Sequence, residues 1–187
     1  MNPELRDIER PIRPAAFAAI AFSGIAAGGL VGAGTNAVNG FVSPTYFITV
    51  LHWHHVENVW RASIAQGIFE GVVFGFFFSL IFVIATAIMT GISAEFSFAF
   101  KHLCGIVAGA LACWLVVGLG AMGLATLSPE FYRAAFRGVP NDFKEMLAYA
   151  FVGGSIWGVQ GGGFVCLIFG LVFLRANWQR HLREEKS

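Results

Sequence analysis

Charge is what this sequence has least of. Of its 187 residues, 12% are Asp, Glu, Lys or Arg, about half the share of a soluble domain. The formal net charge is +1, so no basic face invites nucleic acid and no acidic face invites cations. Cysteine is scarce as well. Cys104, Cys113 and Cys166 all fall in apolar stretches. An odd count without C-x-x-C spacing argues against a disulfide frame or a zinc site and leaves them as small packing residues. Enzyme signatures are missing too. There is no H-E-x-x-H and no phosphate-binding P-loop. Gly153-Gly154-Ser155 is not the G-x-S-x-G nucleophile elbow. The chain is therefore read as non-enzymatic, with no cofactor.

What is present is apolar. Hydrophobic residues make up 57%, with 20 Phe and 23 Gly, and the mean hydropathy is +0.70. Phe suits a lipid-facing surface, and Gly lets membrane helices approach closely. A hydrocarbon core about 30 Å thick needs about 20 apolar residues in a helix. Four stretches qualify: residues 15–35, 62–90, 102–127 and 146–174. Only the second holds a charge, Glu70. The last three exceed the required length and are expected to tilt or extend past the interface. The first follows Arg6, Arg10 and Arg13, as a signal peptide would, but its apolar run exceeds the usual 7–15 or so residues. It is read as a retained helix. The expected architecture is all-α: one polytopic membrane domain over residues 1–187 with four transmembrane helices.

Four spans put both termini and the middle loop on one side. That side holds Arg6, Arg10, Arg13, Lys101, Arg175, Arg180, Arg183 and Lys186, and the other holds Arg61, Arg133, Arg137 and Lys144. Basic residues gather on the cytoplasmic side, so both termini are expected there, in a membrane of the bacterial inner or plasma type. Trp53 and Trp60 fall near the outer interface and Trp178 near the inner one, as an aromatic belt requires.

The two halves resemble each other. Gly24-Ile25-x-Ala27-Gly28-x-Leu30 matches Gly105-Ile106-x-Ala108-Gly109-x-Leu111 at an offset of 81. Ser43-Pro44-x-Tyr46-Phe47 matches Ser128-Pro129-x-Phe131-Tyr132 at 85, and Glu70-Gly71-x-x-Phe74 matches Gln160-Gly161-x-x-Phe164 at 90. Three matches in one order point to tandem parallel hairpin repeats, about 15–90 and 102–174, related by an axis along the membrane normal. Within each, Ser43 or Ser128 is placed to N-cap a short helix opened by Pro at its first position. Tyr46, Phe47, Val50 and Leu51 form an apolar face, as do Phe131, Tyr132, Ala135 and Phe136. A short helix lying on the outer interface is expected in each half, the second stopped by Gly138 and Pro140.

Small residues recur every four positions: Gly24, Gly28 and Gly32; Ser63, Gly67, Gly71, Gly75 and Ser79; Gly154, Gly158, Gly162, Cys166 and Gly170. Such glycine-zipper stripes make smooth faces for a tight bundle, or for contact with a homo-oligomer or membrane-complex partner. The glycine-striped four-helix plan is similar in outline to mitochondrial inner-membrane translocase subunits. No motif of that family occurs here, so the likeness implies nothing about activity.

Glu70 is the most informative residue. A carboxylate in a membrane helix is costly and marks a functional hypothesis by default. Gln66 stands one turn before it on the same face. With Asn36, Asn39 and Gln160 they are expected to form a polar intramembrane cluster, acting as a hydrogen-bonded clasp or as a solute site. The rest of residues 62–90 is nearly all apolar past Glu70, which argues against an always-open pore. His52, His54, His55 and Glu57 cluster in the first outer loop, with His52 and His55 able to share a helix face. Their spacing is no known metal motif, so they stand as weak metal candidates. The tail 175–186 mixes Arg with Glu184 and Glu185 and reads as a solvated helix end that can touch the lipid bilayer. Two functions fit: a small transporter or outward-facing solute- or ion-binding protein centred on Glu70, and a non-catalytic structural or assembly subunit of a larger membrane complex.

Overall fold

A computed structural model describes residues 11–184. Arg6, Arg10 and Lys186, counted above for orientation, lie outside the described residues. Those residues form six helices: α1 Pro14–Val42, α2 Pro44–Val50, α3 Val59–Thr90, α4 Phe96–Leu127, α5 Pro129–Ala135 and α6 Phe143–Glu184. There is no strand among the described residues. α1, α3, α4 and α6 have 29, 32, 32 and 42 residues and are long and apolar enough to cross a membrane. The all-α class and the four spans are as the hydropathy predicts.

The helix ends follow backbone chemistry more than polarity. α1 runs seven residues past position 35 and takes in Asn36 and Asn39. Nothing breaks it before Pro44, whose ring disfavours helical geometry at Ser43. α3 begins where the Asn58 side chain accepts a hydrogen bond from Arg61 N–H at 3.0 Å and ends at Gly91, φ +61°, a left-handed stop that glycine adopts freely. Ile92 follows at φ +62°, where a β-branched residue is strained. Its carbonyl accepts from Arg13 N–H at 2.9 Å, and Arg13 reaches Glu95 at 2.8 Å. These contacts tie the α3–α4 connection to the start of α1.

Pro44 and Pro129 do open α2 and α5, but Ser43 and Ser128 make no side-chain cap. Each serine joins two helices instead. Its N–H closes the preceding helix, Ser43 onto Asn39 O at 2.9 Å and Ser128 onto Leu124 O at 3.1 Å. The apolar faces also pack unequally. Phe47 and Tyr132 are buried, whereas Val50, Leu51, Phe131 and Phe136 stay exposed. His52–His55 lie in the α2–α3 connection rather than on a helix, with His52 at φ +57°.

α1 packs along α3, and α4 along α6. The glycine stripes are what make this possible. Gly24 lies against Ser79, Gly28 against Gly71 and Gly75, Gly32 against Gly67 and Gly71, and Gly40 against Ser63. A methyl group at Gly28 or Gly32 would overlap a backbone carbonyl of α3. On the other side, Gly154 and Gly158 meet Val117, Gly162 meets Cys113, Gly109 meets Cys166 and Gly170 meets Ile106. The two pairs then join over buried Ile20, Phe82, Leu103, Leu167 and Leu174. At the α2/α5 end, Phe47, Phe151 and Val152 close the bundle.

Candidate functional site

Between the two helix pairs lies a cavity of about 130 Å³. Thr35 and Asn36 of α1, Glu70 of α3 and Gln160 of α6 line it. Phe74, Phe78 and Phe82 of α3, Leu103 and Ile106 of α4 and Leu167 of α6 are among its apolar lining. Gly28, Gly32, Gly67, Gly71 and Gly75 give a wall almost without side chains, so the space exists because the α1–α3 contact needs no bulk. Apart from Thr35 and the side chains of Asn36, Glu70 and Gln160, the one polar side chain on the wall is Ser79. It is 4% exposed, and its Oγ has no hydrogen-bond partner among the described residues.

Glu70 is half-buried. Gln66 Nε2 donates to its Oε1 at 2.7 Å, the i, i+4 pairing that their spacing predicts. The amide is neutral, so it orients the carboxylate without balancing its charge. That charge also reaches α2: burial, with the Glu70 carboxylate adding to it, pushes the Tyr46 hydroxyl above its ordinary value. Tyr46 itself packs against Tyr149 at 5.0 Å between ring centres.

The five polar residues named from the sequence thus divide. Asn36, Glu70 and Gln160 share the cavity, and Gln66 joins through Glu70. Asn39 does not line it. Fully buried, it crosses from α1 to α6, where Ser155 Oγ donates to Asn39 Oδ1 at 3.0 Å. Its Nδ2 has no hydrogen-bond partner among the described residues. Asn36 contributes its backbone as well, accepting from Ser63 Oγ at 3.0 Å.

Ser155, Thr35, Ser79 and Tyr46 escaped the reading of the sequence as site residues. Ser155 stood in a Gly-Gly-Ser run set aside because it is no nucleophile elbow, and Ser79 in a glycine stripe. A polar group inside a small-residue stripe was the available signal. A second cavity, about 270 Å³, lies at the α2/α5 end among Tyr46, Tyr132, Tyr149, Trp157 and Arg137. Tyr149 Oη donates to the Arg137 carbonyl there at 2.7 Å.

The loop histidines are all exposed. The rings of His52 and His54 are 6.5 Å apart, and among the described residues no three His, Cys, Asp or Glu gather as metal ligands. The three cysteines are unbridged. No protein-family model, no curated protein and no solved structure matches this chain.

Proposed function

We propose that the chain is a small transporter or outward-facing solute-binding membrane protein whose polar centre is Glu70, without catalytic chemistry of its own. The observation that carries this is the central cavity, to which three helices bring a carboxylate and two amides. A clasp needs polar groups that satisfy one another across helices. Glu70 is bonded within its own helix, so it holds no helices together, while Asn39 and Ser155 do.

Access is the test. In a variant lacking the native cysteines, Glu70→Cys should react with a membrane-impermeant thiol reagent added outside. Reaction from neither face would remove the solute-binding reading.

Orientation and repeat belong to the same proposal. Both termini face the cytoplasm, and α2 and α5 lie on the outer interface. The tandem repeat is supported by the register of the helix pairs. Gly28 meets Gly75, and Gly109 meets Cys166. Offsets of 81 and 90 carry the first pair onto Gly109 and Val165, one residue from the second. Likewise Gly32 and Gly71 map onto Cys113 and Gly161, one residue from the Cys113–Gly162 contact. A structure determined in lipid whose halves superpose only in inverted orientation would overturn the repeat.

A second reading, a structural or assembly subunit or a homo-oligomer, has its own observation. Gly34, Gly105, Gly120, Gly123 and Gly161 have open space where a side chain would stand, which leaves helix surface smooth enough for another helix.

A further inference from the structure

We infer that the occupant of the central cavity is a small hydrophobic amine, held as its ammonium cation by Glu70. This rests on the reading of the cavity as a solute site and adds the chemical class of the solute.

Charge is the first ground. Glu70 is the one ionisable side chain among the lining residues; no Lys, Arg or His stands on the wall. A carboxylate only accepts hydrogen bonds. Gln66 occupies Oε1, and Oε2 takes no hydrogen bond from the described residues. An ionised group removed from water is costly unless it is paired. A ligand ammonium supplies that pair and places its N–H donors beside Oε2, with the amide residues Asn36 and Gln160 also lining the cavity.

Shape and lining are the second ground. Beyond the polar end the wall is mostly apolar, with Phe74, Phe78, Phe82, Leu103, Ile106 and Leu167 and the single hydroxyl of Ser79. A bare metal ion would leave that surface unused and would lack the six or so oxygen ligands that calcium or magnesium takes. An anion would meet Glu70 without a cation to receive it. An amine with an apolar body uses both ends, and the phenylalanine faces attract a cation as well. Size limits the body. An apolar cavity of about 150 Å³ accepts benzene, so about 130 Å³ suits one ring or a short alkyl chain.

Three near-isosteric probes separate the possibilities: benzylamine, benzyl alcohol and benzoate. Binding to the purified full chain is measured by calorimetry, with empty micelles subtracted. Benzylamine should bind at least tenfold tighter than benzyl alcohol, and benzoate should not bind. Glu70→Gln should abolish the preference for the amine while benzyl alcohol still binds, which also reports a folded cavity. Glu70→Asp, which keeps the charge, should retain the preference. Equal binding of the alcohol and the amine to the unaltered chain would sink the amine and leave the cavity a solute site. Preference for benzoate would sink it as well. Binding of none of the three would sink both readings.

Discussion

Asn39 and Ser155 form a buried side-chain hydrogen bond that joins the α1–α3 pair to the α4–α6 pair. Hydrogen bonds between membrane helices contribute about 0.6–2 kcal/mol. Ser155→Ala should therefore destabilise the bundle by about 1 kcal/mol, because it strands a buried acceptor. Asn39→Leu should cost less, because it also removes the unpartnered Nδ2. Unfolding the two single variants and the double variant measures the coupling. A coupling of zero would mean the bond contributes nothing. Polarity made Asn39 conspicuous in the sequence, but not its role. Residues 36–42 looked like the far end of a span, and only the continuation of α1 to Val42 carries Asn39 to α6. Glu70 was legible for the opposite reason. A lone carboxylate in an apolar run is visible without knowing any neighbour, and its partner Gln66 is on the same helix.

At the scale of the element, glycines that look alike in sequence differ in what they touch. Gly32→Ala should cost about 1–3 kcal/mol, the usual penalty for overpacking, since its methyl meets the Gly67 carbonyl. Gly34→Ala, two residues away in open space, should be neutral or stabilise by up to about 1 kcal/mol through helix propensity. Thermal unfolding of the two variants in one detergent gives the difference; equal losses would refute the packing account. The connection after α3 supplies a second case. Ile92→Gly relieves a left-handed conformation worth about 1–2 kcal/mol and should raise the unfolding temperature. A lower one would mean that the Ile92 side chain matters more than its backbone strain. Element identity was readable because hydropathy and period suffice for four long helices. Element ends were less so. Ser43 and Ser128 were expected to cap through their hydroxyls, a reading that overlooked the helix just before each of them.

The whole molecule depends on which stripes meet. The sequence displays the small-residue rows of α1, α3 and α6 but not their partners, since a smooth face fits any other smooth face. In the fold, the α1 row meshes with the α3 row, and the α6 row takes the mixed surface of α4. Their consumption inside the chain leaves Gly34, Gly105, Gly120, Gly123 and Gly161 open to a neighbour, with Gly105 on α4 and Gly161 on α6. Gly105→Leu with Gly161→Leu should leave the unfolding temperature unchanged and, under the oligomer reading, reduce the assembled mass in mass photometry. Unchanged mass would exclude those surfaces. Orientation is tested on the same scale. With native cysteines removed, Asn141→Cys should be labelled from outside and His181→Cys should not; the reverse pattern would invert the topology.

The length of α6 has a mechanical consequence. At 1.5 Å per residue, its 42 residues make a rod about 63 Å long, about twice the hydrocarbon thickness. It touches the cavity near its middle, at Gln160 and Gly163, and carries Arg175, Arg180 and Arg183 near one tip. From Gly162 to Arg183 is about 30 Å, so a pivot of about 10° on the glycine contacts would swing that tip by roughly 5 Å. Such a swing would make the far end of α6 a lever for small adjustments around Glu70, at the expense of the Asn177–His102 hydrogen bond and the Trp178–Phe98 contact that hold it to α4. A spin label at position 180 and another at position 101 should change their separation by a few ångströms when benzylamine fills the cavity, a displacement that labels beside Glu70 would be too close to resolve. An unchanged distance with bound amine would mean that α6 is a fixed post and the cavity fills without motion.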